Sequence, residues 1–419
     1  TAWNHFGAGD IPMTASRFNA LRTAGRTMVH VPFAMGGIGV FFNIPGSPSV
    51  ELTGCLLAKI FSRQITHWND AEITALNPDL TYSGEIKVVH RVHGSSSTAG
   101  FTEYLQGKCP ASWTITPGST VAWPADTFEA QGSGGMAAFI AANDGAIGYI
   151  DAGHGHNAGL GEIALQNREG VYLTTRTADI GAAGTIALAA GSSVIPSDPS
   201  SDFSSVNLYD LAGPTTWPIT MISYFYISKD ISTMDPVTAG LLKYFVEFIL
   251  STEGQALAVN NLFSPLPAAL QTYNTQTLAS ITLPSNVVTF TTEPVDQTQI
   301  ELGAGLNKIS AKRRDYCEVV GTKNAADVLS LAPVVQNLAG MAHQHNEDDD
   351  ETTAVHGAGT TNPSRLFWQA MELMMARSRL PLKMTYRAVG SSTGQKEFLG
   401  DQNNNTAWNH FGAGDIPMT

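Results

Sequence analysis

Residues 86–105 read IKVVHRVHGSSSTAGFTEYL. An apolar, β-branched lead-in is followed by a cluster of glycine and hydroxyl residues from Gly94 to Thr98. Phe101, Tyr104 and Leu105 then fall at helical spacing. The pattern predicts an extended segment that ends in a polar loop, from which an amphipathic helix begins.

Two other stretches have the same design. Residues 384–394 read MTYRAVGSSTG and lead into a helix through Phe398 and Leu399. Residues 357–363 read GAGTTNP, and Pro363 suits the first turn of the helix that follows. The apolar face of that helix consists of Leu366, Ala370, Leu373 and Met374. The chain therefore contains three units in which a helix starts at a loop rich in glycine and hydroxyl residues.

A unit of this kind can bind an anion. The first four N–H groups of a helix have no partner inside the helix, and Ser and Thr hydroxyls add further donors. For one unit alone N-capping is the simpler interpretation, whereas three units support an anion site as well as they support capping. Arg91, four residues before Ser95, would offer a planar fork to an oxyanion or else form a surface salt bridge. Asp10, in the turn FGAGD, would otherwise cap a helix.

The composition excludes several classes of protein. The chain has 419 residues, 43% hydrophobic and 14% charged, which is typical of a globular protein with more than one lobe. A net charge of −13 argues against a nucleic-acid partner, because binding to a phosphate backbone depends on clustered Lys and Arg. No apolar run approaches the ~18 residues of a membrane-spanning helix, so we expect no membrane insertion. No motif positions a Ser, His and Asp set, and we expect neither catalytic residues nor enzymatic activity.

Histidine pairs point only weakly to a metal site. His90 with His93, and His154 with His156, have no Cys, Asp or Glu at a spacing that would complete a set of ligands. The acidic run from Glu347 to Glu351 fits a solvated linker better than a cation site. We therefore predict that the chain holds no metal.

The three cysteines leave two possibilities open. Cys55, Cys109 and Cys317 are too few for a disulfide scaffold and lack the paired short spacings of a structural zinc site. They fit either one disulfide with one leftover thiol or three buried thiols.

A segment of fourteen residues occurs twice. Residues 1–14 and residues 406–419 both read TAWNHFGAGDIPMT. A single domain has one place for such a segment, so we interpret the chain as slightly more than one period of a repeating object. A duplication introduced by cloning is the alternative interpretation. The repeat predicts that the chain's partners are identical copies of itself in a linear array.

The motifs together resemble a known family, the phosphate-binding receptor of bacterial phosphate ABC transporters and its eukaryotic relatives. The resemblance covers about residues 15–270 and 357–419. Its motifs are GAGTTNP (357–363), YRAVGSSTGQ (386–395), HFGAGDIPMT (5–14), FFNIPG (41–46), LTGCLLAKIFSRQITHWND (52–70), VVHRVHGSSSTAGFTEYL (88–105), PGSTVAWP (117–124), GAIGYID (145–151) and WPITMISYFYISKD (217–230). The family order starts at GAGTTNP, so the C-terminal residues of this chain correspond to the family's N-terminus.

The resemblance implies an α/β protein with the two-lobed type II periplasmic-binding-protein fold, in which each lobe is a β-sheet flanked by helices. Here that fold would be one period of the repeating array. Residues 1–42 would continue lobe 1, residues 43–220 would form lobe 2, and residues 221–286 would return to lobe 1. Residues 287–356 would be a linker or accessory segment between repeats. Residues 357–419 would form the N-terminal part of lobe 1, and they would belong with the next copy or fold back on their own chain.

The two arrangements of residues 357–419 make different predictions for the pocket. In a continuous array, Asp10, Arg91 and Ser95 of one chain would meet Thr361 and Ser391 of the preceding chain. In a fold-back arrangement, all of these residues would meet within one chain.

The resemblance also implies a site for inorganic phosphate, with no cofactor. One lobe would contribute Thr361, Asn362, Ser391 and the aspartate of FGAGD, which is Asp10 or its copy Asp415. The other lobe would contribute Arg91, Ser95, Ser96 and Ser97. The carboxylate would accept a hydrogen bond from protonated phosphate but would face sulfate without a proton to share, which would exclude sulfate.

Several positions depart from the family pattern. His93 stands where the family has an acid two residues after the arginine, so the support of Arg91 is altered and affinity would be lower or pH-dependent. Ser96 replaces a glycine, and Asn362 replaces an aromatic residue. An additional loop contains the sequon Asn404-Asn405-Thr406, which makes Asn404 a candidate glycosylation site in a secreted protein.

Two functions follow from these observations. The first is a phosphate-binding domain that serves as the repeating unit of an extracellular filament or surface structure. The alternative is a soluble, phosphate-scavenging solute-binding protein that delivers phosphate to a transporter. Both place the protein outside the cell or on the cell surface.

Overall fold

One long strand carries the fold from one lobe to the other. The computed structural model describes residues 4–290, 353–377 and 382–400. The strands are β1 Phe6–Gly9, β2 Met28–Phe42, β3 Glu51–Leu52, β4 Lys87–Arg91, β5 Phe128–Ala130, β6 Ala146–Asp151, β7 Gly161–Glu162, β8 Ala164–Gln166, β9 Tyr172–Leu173, β10 Thr220–Ser228, β11 Thr353–Gly359 and β12 Leu382–Ala388. Strand β2 is buried along nearly its whole length, as its almost continuous apolar sequence predicts for a strand covered on both faces.

Helices cover both parts of the sheet. They are α1 Ala15–Thr23, α2 Gly54–Phe61, α3 Ala71–Leu76, α4 Ser96–Lys108, α5 Gly132–Ala142, α6 Ala152–Asn157, α7 Ile180–Ala187, α8 Pro236–Leu250, α9 Thr252–Asn260, α10 Ala268–Ala279, α11 Ser364–Arg377 and α12 Ser391–Leu399. The three helices predicted from Gly- and hydroxyl-rich loops are therefore confirmed as α4, α11 and α12.

The two halves of β2 pair with different strands. Its strand order is β12-β11-β1-β10-β2-β6-β4-β5, with β7 also paired to β2. β2 pairs with β10 up to Gly37 and with β6 from Ile38 onward. We call the part from β12 to the first half of β2 lobe 1, and the part from the second half of β2 to β5 lobe 2. The α/β class and the two-part sheet predicted from the sequence are confirmed, and β2 changes partners before the expected boundary at residue 42.

The C-terminal segment completes lobe 1 of its own chain. β11 pairs in parallel with β1, where Ala8 faces Gly359, and β12 pairs in parallel with β11. Within this single chain, the segment folds back onto β1. β11 begins at Thr353, inside the range expected to be a linker. Residues 291–352 and 401–419, which include Cys317, the acidic run, Asn404 and Asp415, lie outside the described residues.

An aromatic cluster joins distant parts of the chain in lobe 1. The ring of Phe6 lies 5.4 Å from those of Phe225 and Phe245 and 6.1 Å from that of Phe367, measured between centroids. All four side chains are buried. Aromatic pairs at these distances add about 0.5–1.5 kcal/mol each beyond their burial. The cluster therefore holds β1, β10, α8 and α11 together and fixes the position of the loops that follow β1 and β11.

A disulfide braces lobe 2. Cys55 in α2 is bonded to Cys109, the C-cap of α4, with a Cα–Cα distance of 5.1 Å. This is the first of the two possibilities that the cysteine count left open. In the described part of the chain, no helix combines the length and the apolar character needed to cross a bilayer.

Candidate functional site

Three polar loops meet where parallel strands end. The loop after β11 leads to α11, the loop after β12 leads to α12, and the loop after β4 leads to α4. β11 and β12 are parallel, as are β4 and β6, so each loop lies at a carboxyl edge. The lobes approach closely here, because a Cβ placed on Gly390 would lie 3.4 Å from the carbonyl oxygen of Gly94. Gly390 has φ +89°, a backbone conformation that favours glycine.

Asp10 is the centre of the site, and only 3% of its surface is exposed. Its Oδ2 accepts hydrogen bonds from Asn362 Nδ2 at 2.8 Å, from Ser96 Oγ at 3.1 Å and from Thr360 Oγ1. Its Oδ1 accepts a hydrogen bond from Ser223 Oγ at 2.7 Å. Four hydrogen bonds from three segments in both lobes therefore hold this carboxylate in one orientation.

The environment of Asp10 changes its acidity. Burial raises the pKa of the carboxyl to about 6, although the hydroxyls of Thr360, Ser223 and Ser96 lower it. The negative charge of Asp151 raises it further. At neutral pH Asp10 is therefore mainly an acceptor, and it takes up a proton in mildly acidic solution.

Three buried donors near Asp10 have no partner. Arg91 Nε, Ser97 Oγ and Ser391 Oγ are each shielded from solvent and make no hydrogen bond with any described residue. Buried polar atoms without partners are rare in folded proteins. All three belong to residues that the sequence analysis placed in the site. A ligand with several acceptor oxygens would satisfy them.

The serines of the α4 loop have separate roles. The hydroxyl of Ser95 accepts a hydrogen bond from Ser97 N at 3.2 Å and caps α4. The hydroxyl of Ser96 is bonded to Asp10, so Ser97 has the hydroxyl that lacks a partner. The three serines expected in the site thus act as a cap, a contact between lobes and an available donor.

The loop after β11 contributes two neighbouring threonines with different contacts, and the expected contact of Thr361 with phosphate stays a prediction. Thr360, not Thr361, donates its hydroxyl to Asp10. Thr361 is half-buried, and its carbonyl oxygen accepts hydrogen bonds from Ser364 N and Ser364 Oγ. The amide of Asn362 donates to Asp10, and its expected backbone contact with phosphate stays a prediction.

Two further residues were missed by sequence reasoning. Ser223 is a buried polar residue in the interior of the largely apolar strand β10, a pattern that signals a required hydrogen bond. Asp151, at the end of β6, lines the same cavity as Asp10, Ser223 and Asn362. Burial lowers the pKa of Arg91, and the negative charge of Asp151 partly opposes that shift.

The histidines have partners other than metal. His90 stacks on Trp123 with 4.9 Å between ring centroids, His154 Nδ1 lies 2.7 Å from Asp151 Oδ1, and His156 Nε2 lies 2.8 Å from Thr175 Oγ1. Within residues 4–290, 353–377 and 382–400, no group of three or more His, Cys, Asp or Glu side chains could hold a metal ion.

Comparison with known proteins places the chain in a family. The family model described as the PBP superfamily domain matches residues 4–253. Phosphate-binding protein PstS of Haemophilus influenzae is 31% identical over 271 residues, which cover 63% of this chain and 75% of the relative. Phosphate-binding protein PstS of Xylella fastidiosa is 30% identical over 274 residues, which cover 63% of this chain and 69% of the relative.

Solved structures share the fold. A high-affinity periplasmic phosphate-binding protein, PfluDING, has a TM-score of 0.53 at 22% identity, covering 67% of this chain and 84% of its own. A phosphate-binding protein from Stenotrophomonas maltophilia has a TM-score of 0.52 at 18% identity, covering 67% and 82%. The family model spans more than half of the chain, and a relative at 31% identity is matched over 75% of its length. The chain therefore belongs to the periplasmic-binding-protein superfamily, as a type II member similar to phosphate-binding protein PstS.

Proposed function

We propose that this chain binds inorganic phosphate between its two lobes. The observation that carries the proposal is the combination of one buried acceptor, Asp10, with three buried donors that lack partners, on Arg91, Ser97 and Ser391. The complementary ligand is an oxyanion that donates one hydrogen bond and accepts several. Phosphate keeps a proton at neutral pH and matches this description.

The same arrangement favours phosphate over sulfate. Sulfate has no proton at neutral pH, so its oxygens would face the ionised carboxylate of Asp10 without a hydrogen bond. Two buried acceptors that face each other without a shared proton strongly disfavour sulfate relative to phosphate. Binding through local hydrogen bonds does not need a positive overall charge, so it is compatible with a net charge of −13. For the same reason we expect phosphate affinity to depend only weakly on ionic strength.

Calorimetry on protein stripped of bound phosphate tests the proposal. We expect phosphate to bind and sulfate at the same concentration to give no heat. Ser391→Ala should weaken phosphate binding by about tenfold or more, because a hydrogen bond to a charged group contributes about 1.5–3 kcal/mol. Ser205→Ala, at an exposed serine far along the chain, is the matched control and should bind like the wild type. Absence of phosphate binding by the wild-type protein would overturn the proposal.

We also propose that the protein acts outside the cell as a solute-binding protein that passes phosphate to a transporter. Its similarity to proteins named as phosphate-binding and periplasmic supports this role. Digestion of the native protein with an N-glycosidase, followed by mass spectrometry, tests one consequence. A mass loss at the peptide with Asn404 would support passage through a secretory route, and release of the unmodified peptide from native material would argue against glycosylation.

A role as the repeating unit of an extracellular filament is the second candidate, and the duplicated segment favours it. Residues 6–9 fill one position between β11 and β10, and an identical sequence occurs again at residues 411–414. A second copy could fill the equivalent position of a neighbouring molecule. Native mass spectrometry of the chain and of a variant lacking residues 406–419 tests this. We expect chains of copies only with the segment present, and monomers in both cases would exclude the filament.

A further inference from the structure

A carboxylate and an imidazole form a pair beside the anion site. Asp151, the last residue of β6, accepts hydrogen bonds on Oδ1 from His154 N at 3.0 Å and from His154 Nδ1 at 2.7 Å. The side chain of Asp151 is 15% exposed and that of His154 is 29% exposed. The short distance between the ring nitrogen and the carboxylate means that Nδ1 carries a proton. The second nitrogen of His154 determines whether the ring is neutral or positive.

The pair is electrostatically connected to Arg91. Asp151 Oδ2 and Arg91 Nε are both buried, and neither has a hydrogen-bond partner in the described part of the chain. The charge of Asp151 acts on Arg91 and also on Asp10, where it raises the pKa of the carboxyl. Asp151 lines the cavity that Asp10 lines. An anion bound at Arg91 would therefore be repelled by two carboxylates, those of Asp10 and Asp151.

Charged groups reach His154 from each lobe. Asp151 on β6 is in direct contact, Arg91 is on β4, and Arg365 is on α11 in lobe 1. The segment 261–263, which lines the cavity with Gly153, adds no charge. Burial lowers the pKa of His154, but the hydrogen bond and charge of Asp151 outweigh it, and the net pKa is raised despite Arg365 and Arg91. The contact with Asp151 therefore favours the protonated form of the His154 ring.

We propose that His154 is a positioning residue that couples anion binding at Arg91 to the uptake of a proton on its own imidazole. The proposal rests on the phosphate-binding function proposed above. With His154 neutral, Asp10, Asp151 and Arg91 together carry one negative charge. With His154 protonated, these three residues and His154 together carry no net charge, so an anion is repelled less. By linkage, the anion must stabilise the imidazolium by the same free energy.

This assignment places the pH response at a different residue from the one the sequence suggested. His93, two residues after Arg91, occupies the position where the family has an acid, and it was expected to alter the support of Arg91. His93 is exposed in the structure. Asp151 supplies the negative charge near Arg91 from another strand, and His154 modulates it.

The test compares His154→Gln with His93→Gln as the matched control. Phosphate affinity is measured by calorimetry between about pH 8.5 and about pH 6.5, where Asp10 remains mainly ionised. Dividing the Kd of each variant by that of the wild type cancels the titration of phosphate itself. For His154→Gln we expect this ratio to rise by about threefold or more toward pH 6.5, since one pKa unit of coupling corresponds to tenfold. For His93→Gln we expect it to stay constant.

Two further measurements keep the proposal falsifiable if His154→Gln folds poorly. Phosphate should raise the pKa of His154 in the wild-type protein, observed from its ring protons by NMR. His154→Lys, which keeps a positive charge, should bind at pH 8.5 about as tightly as the wild type does at pH 6.5, after correction for phosphate ionisation. If phosphate binds but leaves the pKa of His154 unchanged, the proposed coupling is overturned and the proposed phosphate site is retained. If phosphate does not bind at all, both are wrong.

Discussion

Ser96 Oγ donates a hydrogen bond of 3.1 Å to Asp10 Oδ2, and this bond joins lobe 2 to lobe 1 through the centre of the site. Both side chains are buried. The loop of α4 therefore contacts the same carboxylate that the β11 loop and β10 hold from the other side. The bond uses the hydroxyl of a residue that replaces a glycine of the family pattern.

Removal of this bond should loosen the contact between the lobes. In Ser96→Ala, Asp10 keeps the hydrogen bonds from Thr360, Asn362 and Ser223, so its orientation is retained. We expect phosphate affinity to fall by about threefold to tenfold, since a buried hydrogen bond contributes about 0.5–1.5 kcal/mol. Small-angle X-ray scattering of the ligand-free variant should show a larger radius of gyration that phosphate restores. An unchanged affinity and radius would mean that Ser96 does not hold the lobes together.

Local patterns predicted the parts of the site that depend on local structure. The loops that begin α4, α11 and α12 could be recognised because glycine and hydroxyl residues that lie close in sequence favour a helix start. Arg91 and Ser391 followed from those loops. The bond from Thr360 to Asp10 could not be predicted in this way, because two threonines are adjacent and the backbone of the loop decides which hydroxyl faces Asp10.

Contacts between distant strands explain the remaining misses. Ser223 and Asp10 are 213 positions apart, and nothing in either segment indicates the other. Asp151 similarly reaches the site only because β6 lies beside β4 in the sheet. The point at which β2 leaves β10 for β6 coincides with Gly36, Gly37 and Gly39, but glycines in a strand do not by themselves indicate a change of partner strand.

Replacement of Asp10 should stabilise the ligand-free protein. The folded-state pKa of about 6 lies above the ordinary 3.8, so the folded protein binds this proton more tightly than the unfolded chain. Stability is then highest in acid, falls as the pH rises from about 4 to about 6, and remains reduced at neutral pH. Asp10→Asn removes this cost and should add about 2 kcal/mol to the free energy of unfolding at pH 7. Its amide can also donate to Ser223 Oγ.

Urea unfolding of Asp10→Asn at pH 7 and at pH 4 measures this effect. The gain should be present at pH 7 and largely absent at pH 4, where Asp10 is already protonated. Asp144→Asn, at an exposed aspartate, is the control and should change stability little at either pH. A loss of stability at pH 7 for Asp10→Asn would show that the four hydrogen bonds outweigh the cost of burying the charge.

The ratio of the sulfate Kd to the phosphate Kd should fall as the pH is lowered. Below pH 6 Asp10 is increasingly protonated, and a neutral carboxyl can donate a hydrogen bond to sulfate. We expect sulfate to compete with phosphate measurably at pH 5 and not at pH 8, in competition calorimetry. Asp10→Asn, which carries a donor at every pH, should lose most of the preference at pH 8. A preference that is equally strong at pH 5 and pH 8 would show that Asp10 is not the discriminating group.

The position of Ser391 depends on two glycines in contact. A Cβ on Gly394 in α12 would lie 2.3 Å from the Cα of Gly359 in β11 and 2.8 Å from the carbonyl oxygen of Ala358. Both are backbone atoms, so the neighbours cannot move aside by changing a rotamer. Gly394→Ala must therefore push α12 away from β11 and shift Ser391, which lies one turn earlier in the same helix.

We expect Gly394→Ala to lower the free energy of unfolding by about 3 kcal/mol, in the range of overpacked sites, and to weaken phosphate binding in the protein that remains folded. Gly107→Ala is the matched control, because Gly107 also lies in a helix at the site and has no atom within 4 Å of an added Cβ. That variant should be up to about 1 kcal/mol more stable and bind normally, since alanine favours the helix. If Gly394→Ala unfolds and binds like Gly107→Ala, then α12 can move without cost, and Ser391 is placed by something other than its contact with β11.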